Sequence, residues 1–96
     1  MTVYAIAQLR ITDRAAYDRY QTRFMDVFRH HRGRLLAADE SPQVVAGQSD
    51  RDKVVLMSFP DEAAFRVWSE SPDYQEISQD RREGADSVVL LVKGLA

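Results

Sequence analysis

His31 is the residue of this 96-residue chain whose position best suits acid–base chemistry. It follows Phe24, Val27 and Phe28 at helical spacing and so continues an apolar stripe. Apolar surroundings and a nearby cation such as Arg34 favour a neutral imidazole, which can serve as a general base. A histidine that closes the core near a helix end explains the same pattern. His31 is therefore the candidate catalytic residue, with a structural role as its alternative.

Basic side chains form a second group. Arg10, Arg51, Lys53 and Arg81 fall at one end of the predicted sheet, where their N–H groups can converge on a carboxylate or enolate. Surface pairing with neighbouring acidic residues is the simpler explanation. Arg10 and Arg81 are the stronger candidates, Arg10 because it lies in a strand that is otherwise covered.

Four aromatic residues with a polar tip point inward by helical spacing, which is typical of a small-molecule cleft. Small alanines opposite them, Ala5, Ala7 and Ala64, either leave room for a ligand or let the helices approach the sheet closely. Both interpretations stay open. The predicted ligand-binding residues are Arg10, Tyr17, Tyr20, Trp68, Tyr74 and Arg81.

Composition excludes several classes of function. A formal charge of −2 gives no basic surface for nucleic acid. With no cysteine there are no disulfides and no thiolate metal sites. His30 and His31 diverge by about 100° on a helix, so we expect no metal site, and no cofactor motif is present. No stretch approaches a membrane span, and residues 1–9 show no signal-peptide pattern, so we expect a cytoplasmic protein.

The elements that position these residues follow from periodicity and capping. Period-two apolarity over residues 3–11 predicts a strand, and Asp13 caps a helix that we expect Gly33 to end. Strands are predicted at residues 34–38, 53–59 and 87–92, with residues 43–46 continuing or bulging the second. The remaining helix starts after Asp61 and is broken at Ser71, where a second helix start is followed by Pro72.

This βαββαβ order predicts an α+β fold: one ferredoxin-like domain over residues 1–96, with an antiparallel sheet in the order 4-1-3-2 and the helices on one face. The strands at residues 53–59 and 87–92 are apolar on both faces, and the helices cover only one. A second copy of the chain is the predicted cover, which gives a homodimer.

Several stretches of the chain match a known family: ITDRAAYDRY, HRGRLLAADE, VVAG, and above all the segment from Phe59 through Trp68 to SPDYQ. On these stretches the chain resembles the DUF1330 family of the dimeric α+β barrel superfamily, which implies the barrel fold and dimerisation. Arg32-Gly33-Arg34 stands where the family usually has Gly-Gly-Arg, and Ala46 replaces its usual glutamate.

Three functions remain open from the sequence. The first is a homodimeric domain that binds a small acidic or aromatic ligand between sheet and helices, with no cofactor. The second is an enzyme similar to the cofactor-free monooxygenases or isomerases of the wider superfamily, with His31 as base. The third is a non-catalytic dimeric module. Fold analogy alone does not choose among them.

Overall fold

A computed structural model describes residues 1–95 of the chain. It contains one four-stranded antiparallel sheet in the order β2-β3-β1-β4, which confirms the predicted order 4-1-3-2. The elements in chain order are β1 (Val3–Ile11), α1 (Arg14–Phe28), β2 (Arg34–Asp39), β3 (Lys53–Phe59), α2 (Glu62–Ser69), α3 (Pro72–Gly84) and β4 (Ala85–Lys93).

Capping side chains start each helix where the sequence predicts. Asp13 accepts a hydrogen bond from the Ala16 amide at 3.3 Å, and Asp61 accepts one from the Ala64 amide at 2.8 Å. Ser71 accepts one from the amide of Tyr74 at 3.3 Å, directly after α2. These oxygens satisfy first-turn N–H groups that have no partner within the helix. The break at Ser71 therefore gives three helices in place of two.

Helix α1 ends at Phe28, five residues before Gly33, so the prediction that Gly33 ends it is wrong. The next amides bond back three residues, from His30 to the Val27 carbonyl and from His31 to the Phe28 carbonyl, which tightens the chain into a turn. A Cβ at residue 33 would lie 2.5 Å from the Phe28 ring. A residue without a side chain is required at position 33 because the chain passes close to the Phe28 ring.

Two further expectations need correction. Residues 43–46 form no strand, and the irregularity in β2 lies instead between Leu35 and Ala37, where the pairing register with β3 shifts. Strand β4 is also longer than predicted and begins at Ala85, directly after α3.

The sheet has an inner face, which the helices cover, and an outer face, which they do not. Alternation in β1 buries Val3, Ala5, Ala7 and Leu9 on the inner face, whereas the residues between them are more exposed. Aromatic rings join helices to sheet: Phe59 of β3 stacks on Trp68 of α2, with ring centroids 5.4 Å apart. No helix in the described part of the chain is both long and apolar enough to span a bilayer.

Gly84 joins α3 to the start of α1. Its carbonyl accepts hydrogen bonds from the amides of Thr12 and Asp13, at 2.8 and 3.1 Å. A Cβ at this position would lie 2.4 Å from the amide nitrogen of Tyr17. Only a residue without a side chain allows the two helices to meet so closely.

Candidate functional site

A cavity of about 540 Å³ lies between the inner face and the helices. Ala7 and Val55 form part of its floor, on β1 and β3. The alanine leaves space that a larger residue would fill, so the structure supports the first interpretation of the small residues at this position. Small-molecule sites usually occupy a few hundred cubic ångströms and are largely apolar. This cavity therefore fits a compact organic molecule.

Aromatic side chains form one wall of the cavity. The rings of Trp68 and Tyr74 have centroids 4.3 Å apart, and the hydroxyl groups of Tyr20 and Tyr74 are hydrogen-bonded at 3.0 Å. Tyr17 lies beside Tyr20, with a centroid separation of 5.7 Å. All four residues line the cavity, as the sequence interpretation placed them together. The wall offers flat apolar surface with a few polar tips.

One polar tip on this wall has no partner. Trp68 is only 3% exposed, and its indole Nε1–H donates to no acceptor within residues 1–95. A buried N–H group without an acceptor is unfavourable by roughly 1–3 kcal/mol. An acceptor brought within reach of Nε1 would relieve that cost.

Burial raises the pKa of two tyrosines that line the cavity, Tyr17 and Tyr20. The pKa of Tyr17 rises to about 12, chiefly because its phenol is removed from water, with the negative charge of Glu40 adding to the effect. The pKa of Tyr20 is well above its usual value, again mainly through burial and then through Tyr74. Both phenols are therefore neutral hydrogen-bonding groups at neutral pH.

Cations outnumber carboxylates around the cavity. Arg81 lines it, and the guanidinium Nε is buried with no acceptor among the described residues. Arg82 donates to the Ser78 hydroxyl at 2.8 Å and also lines the cavity. The charged lining residues are Lys53, Arg66, Glu70, Arg81 and Arg82. This balance favours a molecule with an acidic group.

Lys53 is the functional candidate that sequence reasoning placed in the wrong surroundings. The sequence groups it with Arg10, Arg51 and Arg81 at one end of the sheet, with surface pairing as the simpler explanation. Only 4% of it is exposed, however, and its Nζ donates to Gln21 Oε1 at 2.5 Å inside the cavity. The signal was the alternation of β3, which puts residue 53 on the same face as Met57 and Phe59.

Arg10 and Arg51 lie away from the cavity. Arg10 is on the outer face and forms an ion pair with Asp86 at 3.2 Å. Arg51 donates to the Asp86 backbone carbonyl at 2.9 Å. Of the four predicted cations, the structure thus brings only Lys53 and Arg81 to the cavity.

His31 lies beside the first turn of α3 and not on a helix. Its Nε2 is 3.8 Å from Asp73 Oδ2, and the side chain does not line the cavity. A hydrogen bond from Ser71 is the main reason that the pKa of Asp73 is lowered, and His31 contributes less. The described residues contain no group of three side chains arranged to hold a metal ion.

Solved structures similar to this chain share its fold at low sequence identity. A protein of unknown function from Rhodopseudomonas palustris is 23% identical, with a TM-score of 0.78 over 99% of this chain and 83% of that one. SnoaB, a cofactor-independent oxygenase from Streptomyces nogalater, is 17% identical, with a TM-score of 0.70 over 99% and 94%.

A dimeric ferredoxin-like protein of unknown function from Jannaschia sp. CCS1 is 14% identical, with a TM-score of 0.75 over 98% of this chain and 100% of that one. No curated protein matches the sequence. The model of the family described as a domain of unknown function, DUF1330, matches residues 2–95. Since that match covers nearly the whole chain, the protein belongs to the DUF1330 family, as its sequence motifs indicate.

Proposed function

We propose that the protein binds a flat aromatic molecule carrying an acidic group, in the cavity between sheet and helices. The observation that carries this proposal is that two residues lining a largely apolar cavity have buried donors, Trp68 Nε1 and Arg81 Nε, that meet no acceptor among residues 1–95. The aromatic wall supplies apolar contact, and the excess of basic side chains supplies charge.

The test uses Trp68, the only tryptophan, as a reporter. Titration with 2-naphthoate should change its fluorescence saturably, whereas the uncharged 2-naphthylmethanol should bind more weakly. Equal affinity for the two compounds would contradict the need for an acidic group. The absence of any saturable change with either would overturn the proposal as a whole.

A matched pair of arginine variants separates a site effect from a general loss of charge. Arg81→Met should weaken 2-naphthoate binding by about tenfold, the order expected for one charge-assisted hydrogen bond. Arg19→Met, at an arginine paired with Asp80 outside the cavity, should leave the affinity unchanged. The same loss in both variants would show that overall charge, and not Arg81, attracts the ligand.

We also propose that the functional unit is a homodimer joined through the outer faces of two sheets. The outer face carries Val88, Leu90 and Val92, which are 39%, 45% and 40% exposed. The molecule is a slab of about 33 × 31 × 16 Å, and its broad face matches the roughly 800 Å² per partner that stable interfaces bury. The Jannaschia protein, which shares the fold, is a dimer.

Light scattering at micromolar concentration tests the dimer directly. The chain has a mass of 11.0 kDa, so a dimer should scatter as twice that mass. A monomer mass at this concentration would refute the pairing. The cytoplasmic location expected from the sequence stays a prediction.

Cofactor-free oxygenation is the second candidate function, and the likeness to SnoaB favours it. Such an enzyme needs a base that reaches its substrate. His31 lies outside the cavity, so oxygen uptake with an electron-rich phenol should be unaffected by His31→Ala if the reaction occurs in the cavity. Oxygen uptake that is lost in His31→Ala would instead place the chemistry at His31.

A further inference from the structure

Lys53 brings a primary amine into the cavity that the proposed function assigns to a ligand. Its Nζ lies beneath α1 and 4.9 Å from the centre of the Tyr17 ring. We propose that this amine captures small aromatic aldehydes as a Schiff base, so that the cavity is a covalent carbonyl-binding site. The inference rests on the proposed function, because the same wall and the same arginines hold the aromatic ring.

The surroundings of Nζ provide little opposite charge. Its nearest partner is the neutral amide of Gln21, at 2.5 Å. Glu40 is 3.8 Å away, but both of its oxygens accept from the Arg14 guanidinium, at 2.8 and 3.1 Å. A buried ammonium next to a carboxylate that already serves another cation is poorly stabilised. The Tyr17 ring offers the ammonium some stabilisation, but the charged form is less favoured here than on the surface.

Titration of Lys53 agrees with the geometry. Its pKa is lowered, first because burial disfavours the ammonium. Arg14 lowers it further, whereas the negative charges of Glu40 and Asp18 oppose the shift without cancelling it. For each unit by which a lysine pKa falls, the neutral fraction at neutral pH grows about tenfold. An amine of this kind is a nucleophile.

The rest of the cavity suits the other reactant. The aromatic wall of Tyr74 and Trp68 contacts a ring, and Arg81 offers its donor to an acidic substituent. Both ends of such a molecule are then fixed while its carbonyl carbon approaches Nζ. Holding two reacting groups together in this way is a large part of how sites favour a bond-forming step.

The reaction balances without an oxidant or a cofactor. The lone pair of the neutral Nζ adds to the carbonyl carbon, and the carbonyl π electrons move to oxygen, which takes one proton from the nitrogen to give a carbinolamine. The nitrogen then forms the C=N bond, the oxygen leaves as water, and the proton lost by nitrogen leaves with it. One amine and one aldehyde give one imine and one water.

The chain offers a sharp test because it contains only two lysines, Lys53 and the exposed Lys93. The protein is incubated with 4-formylbenzoate and cyanoborohydride, which reduces the imine to a stable amine, and its peptides are mapped by mass spectrometry. We expect Lys53 to be labelled several-fold faster than the exposed Lys93, because its pKa is lowered and the cavity holds the aldehyde beside it. Labelling of Lys53 that is equal to or slower than that of Lys93 would overturn the inference.

Two variants complete the test. Lys53→Arg keeps the charge but removes the primary amine, so it should bind terephthalate, which has no aldehyde, and yet carry no cavity label. Lys93→Arg should label like the wild type. If terephthalate binds the wild type but 4-formylbenzoate is not trapped at Lys53, the covalent site fails while the proposed function stands. If neither compound binds, the proposed function itself fails. Peptide mapping of the wild type decides the case should Lys53→Arg not fold.

Discussion

The two faces of the sheet differ in cover and, at the middle of β1, in side-chain size. On the inner face β1 contributes Ala5 and Ala7, and bulk comes from the helices above them. On the outer face larger aliphatic side chains stand at corresponding positions, Ile6 on β1 and Leu90 opposite it on β4. The small residues make space for the helices of the same chain. The large ones present a surface that this chain leaves uncovered.

In the dimer that we propose, burial within one chain and burial between chains leave different patterns of side-chain size. The inner face packs against helices of the same chain. The shape of the cavity above Ala7 therefore depends on the particular side chains of those helices. An outer face that meets a copy of itself needs only a broad apolar surface that is complementary to itself.

Truncation of the inner face gives the largest expected effect. Phe59 is 1% exposed and its ring contacts Phe28, Phe65 and Trp68. Phe59→Ala should lower the free energy of unfolding by about 3–5 kcal/mol, because it leaves a cavity among these rings. Urea unfolding monitored by Trp68 fluorescence measures the change. Val67→Ala, at a side chain 66% exposed on α2, should change it by less than about 0.5 kcal/mol. Comparable losses of unfolding free energy in the two variants would contradict the tight packing of the inner face.

Alkaline pH tests the polar part of the inner face. The Tyr17 phenol titrates at about 12 in the folded protein and near 10.0 when unfolded. Below pH 10 neither state loses this proton, and its contribution to stability is fully present. Between pH 10 and about 12 only the unfolded state releases it, so stability should fall by about 3 kcal/mol.

Tyr20, whose pKa is also raised, acts in the same direction. The lowered pKa of Lys53 raises stability with pH, but only up to 10.5, so the measurement is best made above that value. Tyr17→Phe should reduce the loss, whereas Tyr4→Phe, on the outer face, should not. A profile that Tyr17→Phe leaves unchanged would contradict the burial of this phenol.

Much of the fold could be read from local patterns. Alternation placed the strands, and the oxygens of Asp13, Asp61 and Ser71 marked the helix starts, because capping depends on neighbours in sequence. The end of α1 could not be read in the same way. Gly33 looks like a helix stop, but a Cβ there would meet two rings, that of Phe28 at 2.5 Å and that of the distant Phe59 at 2.6 Å.

The candidate site also has a part that local patterns predict and a part that depends on contacts distant in sequence. Tyr17, Tyr20, Trp68 and Tyr74 could be placed together from helical spacing. Lys53 was missed as a buried group because lysine is rarely buried and its partners, Gln21 and Glu40, lie far away in sequence. Arg10 was misplaced because the polar positions of β1 look alike whether a helix or a second copy lies above them.

The smallest expected change in stability comes from the outer face. Leu90→Lys places a charge in the middle of that surface, where the separate chain leaves it 45% exposed. The monomer fold should lose about 1 kcal/mol or less, yet the mass in light scattering should fall from two chains to one. The unfolding temperature of the variant should also stop depending on protein concentration. A variant that remains a dimer would move the interface away from Leu90.

The junction at Gly84 has a consequence for how this scaffold tolerates change. There the separation of α1 and α3 is dictated by backbone touching backbone, so it does not depend on the bulk of residues further along the helices. At this end of the two helices, side chains therefore have no part in setting the spacing. Related or engineered sequences can therefore exchange side chains near this junction without changing the distance between α1 and α3.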